Sequence, residues 1–120
     1  MEYKIQKFTD LIAWQKAHIL ALSTYQLTQS FPSDERFGLM SQMQRAAVSI
    51  SSNIAEGFGR GTAKDKIQFY LIAKTSLNEL HSQILIAHDL GYAKEIDSIL
   101  AQIDEASRLI TGILRLPPSR

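Results

Sequence analysis

Residues 62–91 read TAKDKIQFYLIAKTSLNELHSQILIAHDLG. Apolar side chains recur at Tyr70, Ala73, Leu77, Leu80, Ile84 and Ala87, a 3–4 spacing that lays one stripe along one side of an α-helix. Thr62 can cap the exposed N–H groups at its start, with Asp65 three residues on as a near capping box. Gly91 ends it, because glycine tolerates the left-handed conformation that follows many helices. The spacing predicts a helix over 62–89.

Working outward, the same periodicity recurs on both sides. Ile96, Ile99, Ile103, Ala106, Ile110 and Ile113 predict a helix over 92–114, closed by Pro117-Pro118. Leu39, Met43, Ala46, Ile50, Ile54 and Phe58 predict one over 35–58. Leu11, Trp14, Ala17, Ala21 and Tyr25 predict a first helix over 10–30, capped by Thr9 or Asp10 and ended by Phe31-Pro32-Ser33. Val48 is the only valine, and most other residues in these blocks are good helix formers. Helices of this size are roughly 30–42 Å long at 1.5 Å per residue. Turns this short force antiparallel neighbours, so the expected fold is all-α, an up-down-up-down four-helix bundle forming a single domain over residues 1–120.

The 120 residues are 45% hydrophobic and 21% charged, enough chain to bury a core without staples. The absence of cysteine excludes disulfides, thiolate nucleophiles and cysteine-ligated metal centres. The longest unbroken apolar run, Phe69–Ala73, falls far short of the roughly 20 residues of a membrane span. Residues 1–9 lack the apolar stretch of a signal peptide. A cytoplasmic protein without membrane partners is expected.

A net charge of +1 hides an asymmetry. Residues 36–74 carry Arg36, Arg45, Arg60, Lys64, Lys66 and Lys74 against Glu56 and Asp65, a net of +4. Residues 75–106 carry Lys94 against Glu79, Asp89, Glu95, Asp97, Asp104 and Glu105, a net of −5. The plain reading is ordinary solvated helix faces; the sharper one is a basic and an acidic surface on one fold.

Helix two holds the most informative side chains. Gln42, Arg45, Ser49, Asn53, Glu56 and Arg60 fall on one polar stripe beside the apolar one. Small and amide side chains between two arginines suit a partly buried hydrogen-bonding seam, with Glu56 pairing Arg60 at i,i+4. Structure is favoured over catalysis for this stripe. Gly57-Phe58-Gly59-Arg60-Gly61-Thr62 lacks the spacing and the preceding strand of a phosphate loop. Arg60, Lys64 and Lys66 nonetheless gather at a helix N-terminus, where a nucleic-acid phosphate can dock. Arg45, Arg60, Lys64, Lys66 and Lys74 are the candidate phosphate contacts. His18, His81 and His88 match no metal or relay spacing, Glu-x-x-His is absent, and the serines sit in no nucleophile elbow. Neither catalytic residues, metal ligands nor a cofactor are predicted.

Several words of this chain belong together. Phe8-Thr9-Asp10-Leu11, Trp14-Gln15-Lys16-Ala17, Phe31-Pro32, Arg45-Ala46-Ala47-Val48-Ser49-Ile50 and, most specific, Ser52-Asn53-Ile54-Ala55-Glu56-Gly57-Phe58-Gly59-Arg60 resemble the four-helix bundle proteins of the 23S ribosomal RNA intervening-sequence family. The resemblance runs from about Phe8 to Leu114. It departs at Ser51, where the family often has Pro, and at Lys74-Thr75, in place of a small residue and Gly. The first departure is expected to relax the middle of helix two and the second to alter how helix three packs on a neighbour. The resemblance implies a bundle similar to the accessory protein of diversity-generating retroelements, a homopentamer that binds nucleic acid and a reverse transcriptase.

The leading expectation is a non-enzymatic oligomeric bundle that binds RNA or associates with ribosomal RNA through those cations, with affinity falling steeply in salt. The alternative is a homo-oligomeric protein–protein scaffold, or an accessory subunit for a nucleic-acid enzyme such as a reverse transcriptase. Self-association is expected because Ile12, Ile19 and Leu22 lie off the main stripe of helix one, and Phe69, Leu71, Ile72 and Ile86 crowd or leave that of helix three; the resemblance implies that the assembly is a cyclic pentamer. A second apolar surface of that extent is larger than a soluble monomer usually exposes.

Overall fold

Thr62 caps the longest helix as its spacing requires: its Oγ1 accepts the Asp65 backbone N–H at 3.1 Å. A computed structural model describes residues 4–115, within which the elements are α1 (Ile12–Thr28), α2 (Leu39–Phe58), α3 (Ala63–Asp89) and α4 (Asp97–Arg115), with 3-10 turns at Phe8–Asp10 and Ser33–Glu35. No strand occurs among the described residues. Pro117-Pro118, expected to close α4, lies outside them.

Contacts across the bundle give the topology. Ser49 meets Ser76 at 2.8 Å and the Lys66 ammonium meets the Phe58 carbonyl at 2.7 Å, so numbers rise along α2 as they fall along α3. Lys74 with Thr111 and His88 with Ala93 relate α3 to the α4 side in the same way. Lys16 with Glu105 relates α1 to α4, and Gln44 with Thr28 relates α2 to α1. The helices run up, down, up, down. Each packs on its two chain or ring neighbours, while α1 and α3, and α2 and α4, are diagonal, with no Cα atoms within 8 Å of one another among the described residues.

Three of the four apolar stripes are the core. Met43, Ala46, Ile50 and Ile54 of α2, Tyr70, Ala73, Leu77, Leu80, Ile84 and Ala87 of α3, and Ile99, Ile103, Ala106 and Ile110 of α4 are all buried. Leu39, Phe58 and Ile113, at the ends of those stripes, are half-buried against the core.

The stripe of α1 is rotated from its expected position. Ala13, Ala17, Leu20, Ala21, Thr24 and Thr28 are buried, Trp14 is half-buried and Tyr25 is 45% exposed. Two facts explain the difference. An apolar helix that is nearly uniform around its circumference leaves its rotation undetermined by pattern. The two threonines enter the core because each hydroxyl donates to a carbonyl of its own helix, Thr24 to Leu20 at 2.8 Å and Thr28 to Tyr25 at 3.0 Å. That satisfies the hydroxyl donors within α1, and Thr28 Oγ1 also accepts from Gln44 Nε2 of α2 at 3.1 Å.

Helix ends also differ from the expected bounds. Neither Thr9 nor Asp10 caps α1; Asp10 Oδ2 instead accepts from the backbone of Gln6 and Lys7, and the N-cap is Leu11. α2 starts at Leu39, where Glu35 Oε1 reaches forward to accept the Leu39 N–H at 3.0 Å. α3 ends in a Schellman motif: Gly91 has φ of 83°, its N–H bonds to His88, and the Tyr92 N–H bonds to Ala87. That reversal takes up the segment before Asp97, so α4 begins later than Tyr92.

Candidate functional site

The polar stripe of α2 faces α3. Ser49 Oγ and Ser76 Oγ share a hydrogen bond at 2.8 Å across the two helices. Asn53 Nδ2 donates to the Ser49 carbonyl at 2.8 Å and its hydroxyl at 3.0 Å, which sets the Ser49 side chain against α3. Above this pair opens a groove of about 390 Å³ lined by Gln42, Arg45, Ala46, Ser49, Ser76 and Glu79. Arg45 is exposed and makes no hydrogen bond or ion pair among the described residues, and Glu79 stands on the facing wall. Among the described residues no histidine lines the groove, and Glu79 is the carboxylate that faces its serines. The arrangement can bind by hydrogen bonds and one free guanidinium.

The backbone explains why two helices approach so closely at the far end of the stripe. Gly57 is buried on α3, and a Cβ there would lie 2.6 Å from Tyr70 Cε1 and 3.1 Å from Phe69 Cβ. Only glycine admits that contact. Just beyond it, Glu56 and Arg60 pair at 2.6 Å, and the Arg60 guanidinium lies 4.5 Å from the centre of the Phe69 ring. Arg60 is thereby oriented by a carboxylate and an aromatic face together.

The five candidate cations do not form one cluster. Arg45, Arg60 and Lys64 are exposed. Lys66 is 6% exposed, and its ammonium donates to the Phe58 carbonyl at 2.7 Å and the Gly57 carbonyl at 3.5 Å. It satisfies the carbonyl end of α2, where the helix dipole favours a cation. Lys74 points to the other side of α3 and donates to Thr111 Oγ1 of α4 at 2.8 Å. Lys66 and Lys74 are ties between helices, while Arg45 lies in the first half of α2 and Arg60 two residues beyond its end.

Two features escaped the periodic reading. Gln83, buried on α3 seven residues after Ser76, donates to Glu79 at 3.3 Å, and its Oε1 is buried without a partner. Lys66 sits four residues before Tyr70, hence on the core stripe, which was the available signal for its burial. The departures have local consequences. Ser51 donates to the Val48 carbonyl at 3.3 Å inside an unbroken α2, and Lys74 pins α3 to α4.

The histidines are dispersed. His18 stacks on Trp14 with ring centres 4.8 Å apart, His88 Nδ1–H donates to the Ala93 carbonyl at 2.9 Å, and His81 lines a small α3–α4 hollow. Among the described residues, no group of three or more His, Cys, Asp or Glu is placed to hold a metal ion. None of the described helices is long and apolar enough to cross a membrane.

The family model described as 23S rRNA-intervening sequence protein matches residues 9–112. Comparison with curated proteins returned no match.

Proposed function

Because the chain belongs to the 23S rRNA-intervening sequence protein family, we propose that it is a non-enzymatic, self-associating bundle that binds RNA through the polar stripe of α2 and the start of α3. The observation that carries the reading is Arg45, an exposed guanidinium with no partner beside a groove of hydroxyl and amide groups. Arg60 and Lys64 are two further exposed cations, at the far end of the stripe. Phosphate contacts position a nucleic acid without reading its sequence, which fits a face that offers no aromatic platform around Arg45.

Salt titration of binding to a ribosomal RNA fragment tests it. Three phosphate contacts to single-stranded RNA predict that log affinity falls with log salt at a slope of about −2. Arg45→Glu should weaken binding and flatten the slope. Salt-independent binding, or none in low salt, would remove the proposal.

A second reading, a homo-oligomeric scaffold, is favoured by one specific observation. Lys16 is the only Lys, Arg, Asp or Glu of α1, and Ile12, Ile19, Leu22 and Tyr25 are exposed on that helix. Leu71, Ile72, Leu85 and Ile86 are exposed on α3, the diagonal helix. Apolar faces on opposite corners suit head-to-tail contacts that close into a ring, for which the family resemblance supplies five as the copy number. The two readings are compatible, since the ring leaves α2 free.

A further inference from the structure

Phe37 is 90% exposed, more than any other large hydrophobic side chain among the described residues. A single exposed apolar residue is ordinary; this one is presented by a braced turn. Arg36 N–H bonds to Ser33 at 3.2 Å and Gly38 N–H to Glu35 at 3.0 Å. Glu35 ties the turn down twice, accepting the Leu39 N–H and the Tyr92 hydroxyl at 3.0 Å each. Phe31 packs on the Tyr92 ring, centres 5.4 Å apart. The turn holds its shape around a phenyl group that touches almost nothing.

Beside the turn, at the same end of the bundle, Leu27, Tyr92 and Ala93 help line a hollow of about 520 Å³, with Lys94 and Glu95 on its rim. The exposure of Phe37 shows that it does not fill the hollow of its own chain. The charges flanking the knob, Asp34 and Arg36, complement those on the rim, and all four are exposed. A two-fold contact brings like surface to like surface, so each copy can offer both knob and hollow.

We propose that two copies of this chain associate end to end, the Phe37 of each seated in the Leu27–Tyr92–Ala93 hollow of the other, with Arg36 facing Glu95 and Asp34 facing Lys94. Nucleic acid is the poorer occupant. This end carries Asp34, Glu35, Asp89, Glu95 and Asp97 against Arg36 and Lys94, a surplus of negative charge that repels phosphate. The contact is separate from the α1 and α3 faces, so it joins two rings where a ring exists and two single bundles where it does not.

Sedimentation of the full chain reads the contact directly. Phe37→Ser should halve the mass of the unmodified protein, whatever that mass is, with an unchanged circular dichroism spectrum. Ile19→Glu should abolish ring contacts and leave Phe37-dependent dimers, which separates failure here from failure of the ring. Arg36→Glu should weaken the contact, and adding Glu95→Arg should restore it. In a mixture of ¹⁴N- and ¹⁵N-labelled protein with p-benzoylphenylalanine at position 37, irradiation should yield mixed-isotope cross-links to residues 26–30 or 91–95. An unchanged mass for Phe37→Ser, or cross-links only elsewhere or only to an added ribosomal RNA fragment, would overturn the proposal.

Discussion

Helix propensity alone makes Gly57→Ala stabilising by about 1 kcal/mol. Its surroundings reverse the sign, because the new methyl would press on Tyr70 and Phe69 inside van der Waals distance. Overpacking of that kind costs about 1–3 kcal/mol, so a lowered urea midpoint is expected for Gly57→Ala, and a raised one would show that α3 yields easily. Lys64 and Lys66 are two residues apart and do different things. Lys66→Met should lower stability by about 1.5–3 kcal/mol, the range for hydrogen bonds to a charged group, and leave RNA affinity unchanged. Lys64→Glu should do the opposite. Paired urea and RNA titrations distinguish them, and equal effects of the two changes on affinity would return Lys66 to the phosphate contacts.

At the scale of the element, α1 is the helix whose rotation needed a tertiary context. Leu20→Ala removes a fully buried side chain and should cost about 2–5 kcal/mol. Tyr25→Ala, on the exposed side, should stay within about 0.5 kcal/mol. The reverse order would place the α1 core face where sequence periodicity alone put it. The contrast with α4 is physical. Asp97, Asp104 and Arg108 leave α4 one apolar stripe, whereas the outward side of α1 is also apolar. The α2 stripe was legible as a set of neighbours because a 3.6 period fixes which side chains share a face. Its neighbours on α3, Ser76 and Glu79, were not, because the register between two helices is set by packing.

For the whole molecule, the exposed α1 face makes a specific prediction about assembly. Ile19→Glu should leave the thermal stability of the isolated bundle nearly unchanged, because Ile19 is exposed, yet reduce the sedimenting mass. Unchanged mass would show that α1 takes no part in assembly. Alkaline stability reports on the core and on the loop end together. Burial raises the pKa of the Tyr70 phenol above the ordinary value, and the Tyr92 phenol is raised by its hydrogen bond to Glu35, then by burial and the nearby carboxylates of Glu35 and Asp34. Raised folded-state values mean that both phenols favour the folded state fully below the unfolded value of about 10, and that this preference is lost as pH rises through the folded values. Urea midpoints should therefore fall above about pH 10, and Tyr70→Phe should reduce that fall. A pH-independent midpoint in that range would contradict the burial of Tyr70.

The sequence by itself determined four helices, their antiparallel order, three of the four core stripes, the Thr62 cap and the Gly91 stop, because each depends on contacts within a few residues or on one dominant apolar face. Tertiary structure alone decided the rotation of α1, the burial of Lys66 against the carbonyl end of α2, the diversion of Lys74 to Thr111 and the joining of Ser49 to Ser76. It also decided that Phe37 stands almost wholly exposed. Those outcomes depend on which surfaces meet, and the energy of a buried or paired group is set by its neighbours in space, which periodicity along the chain does not encode.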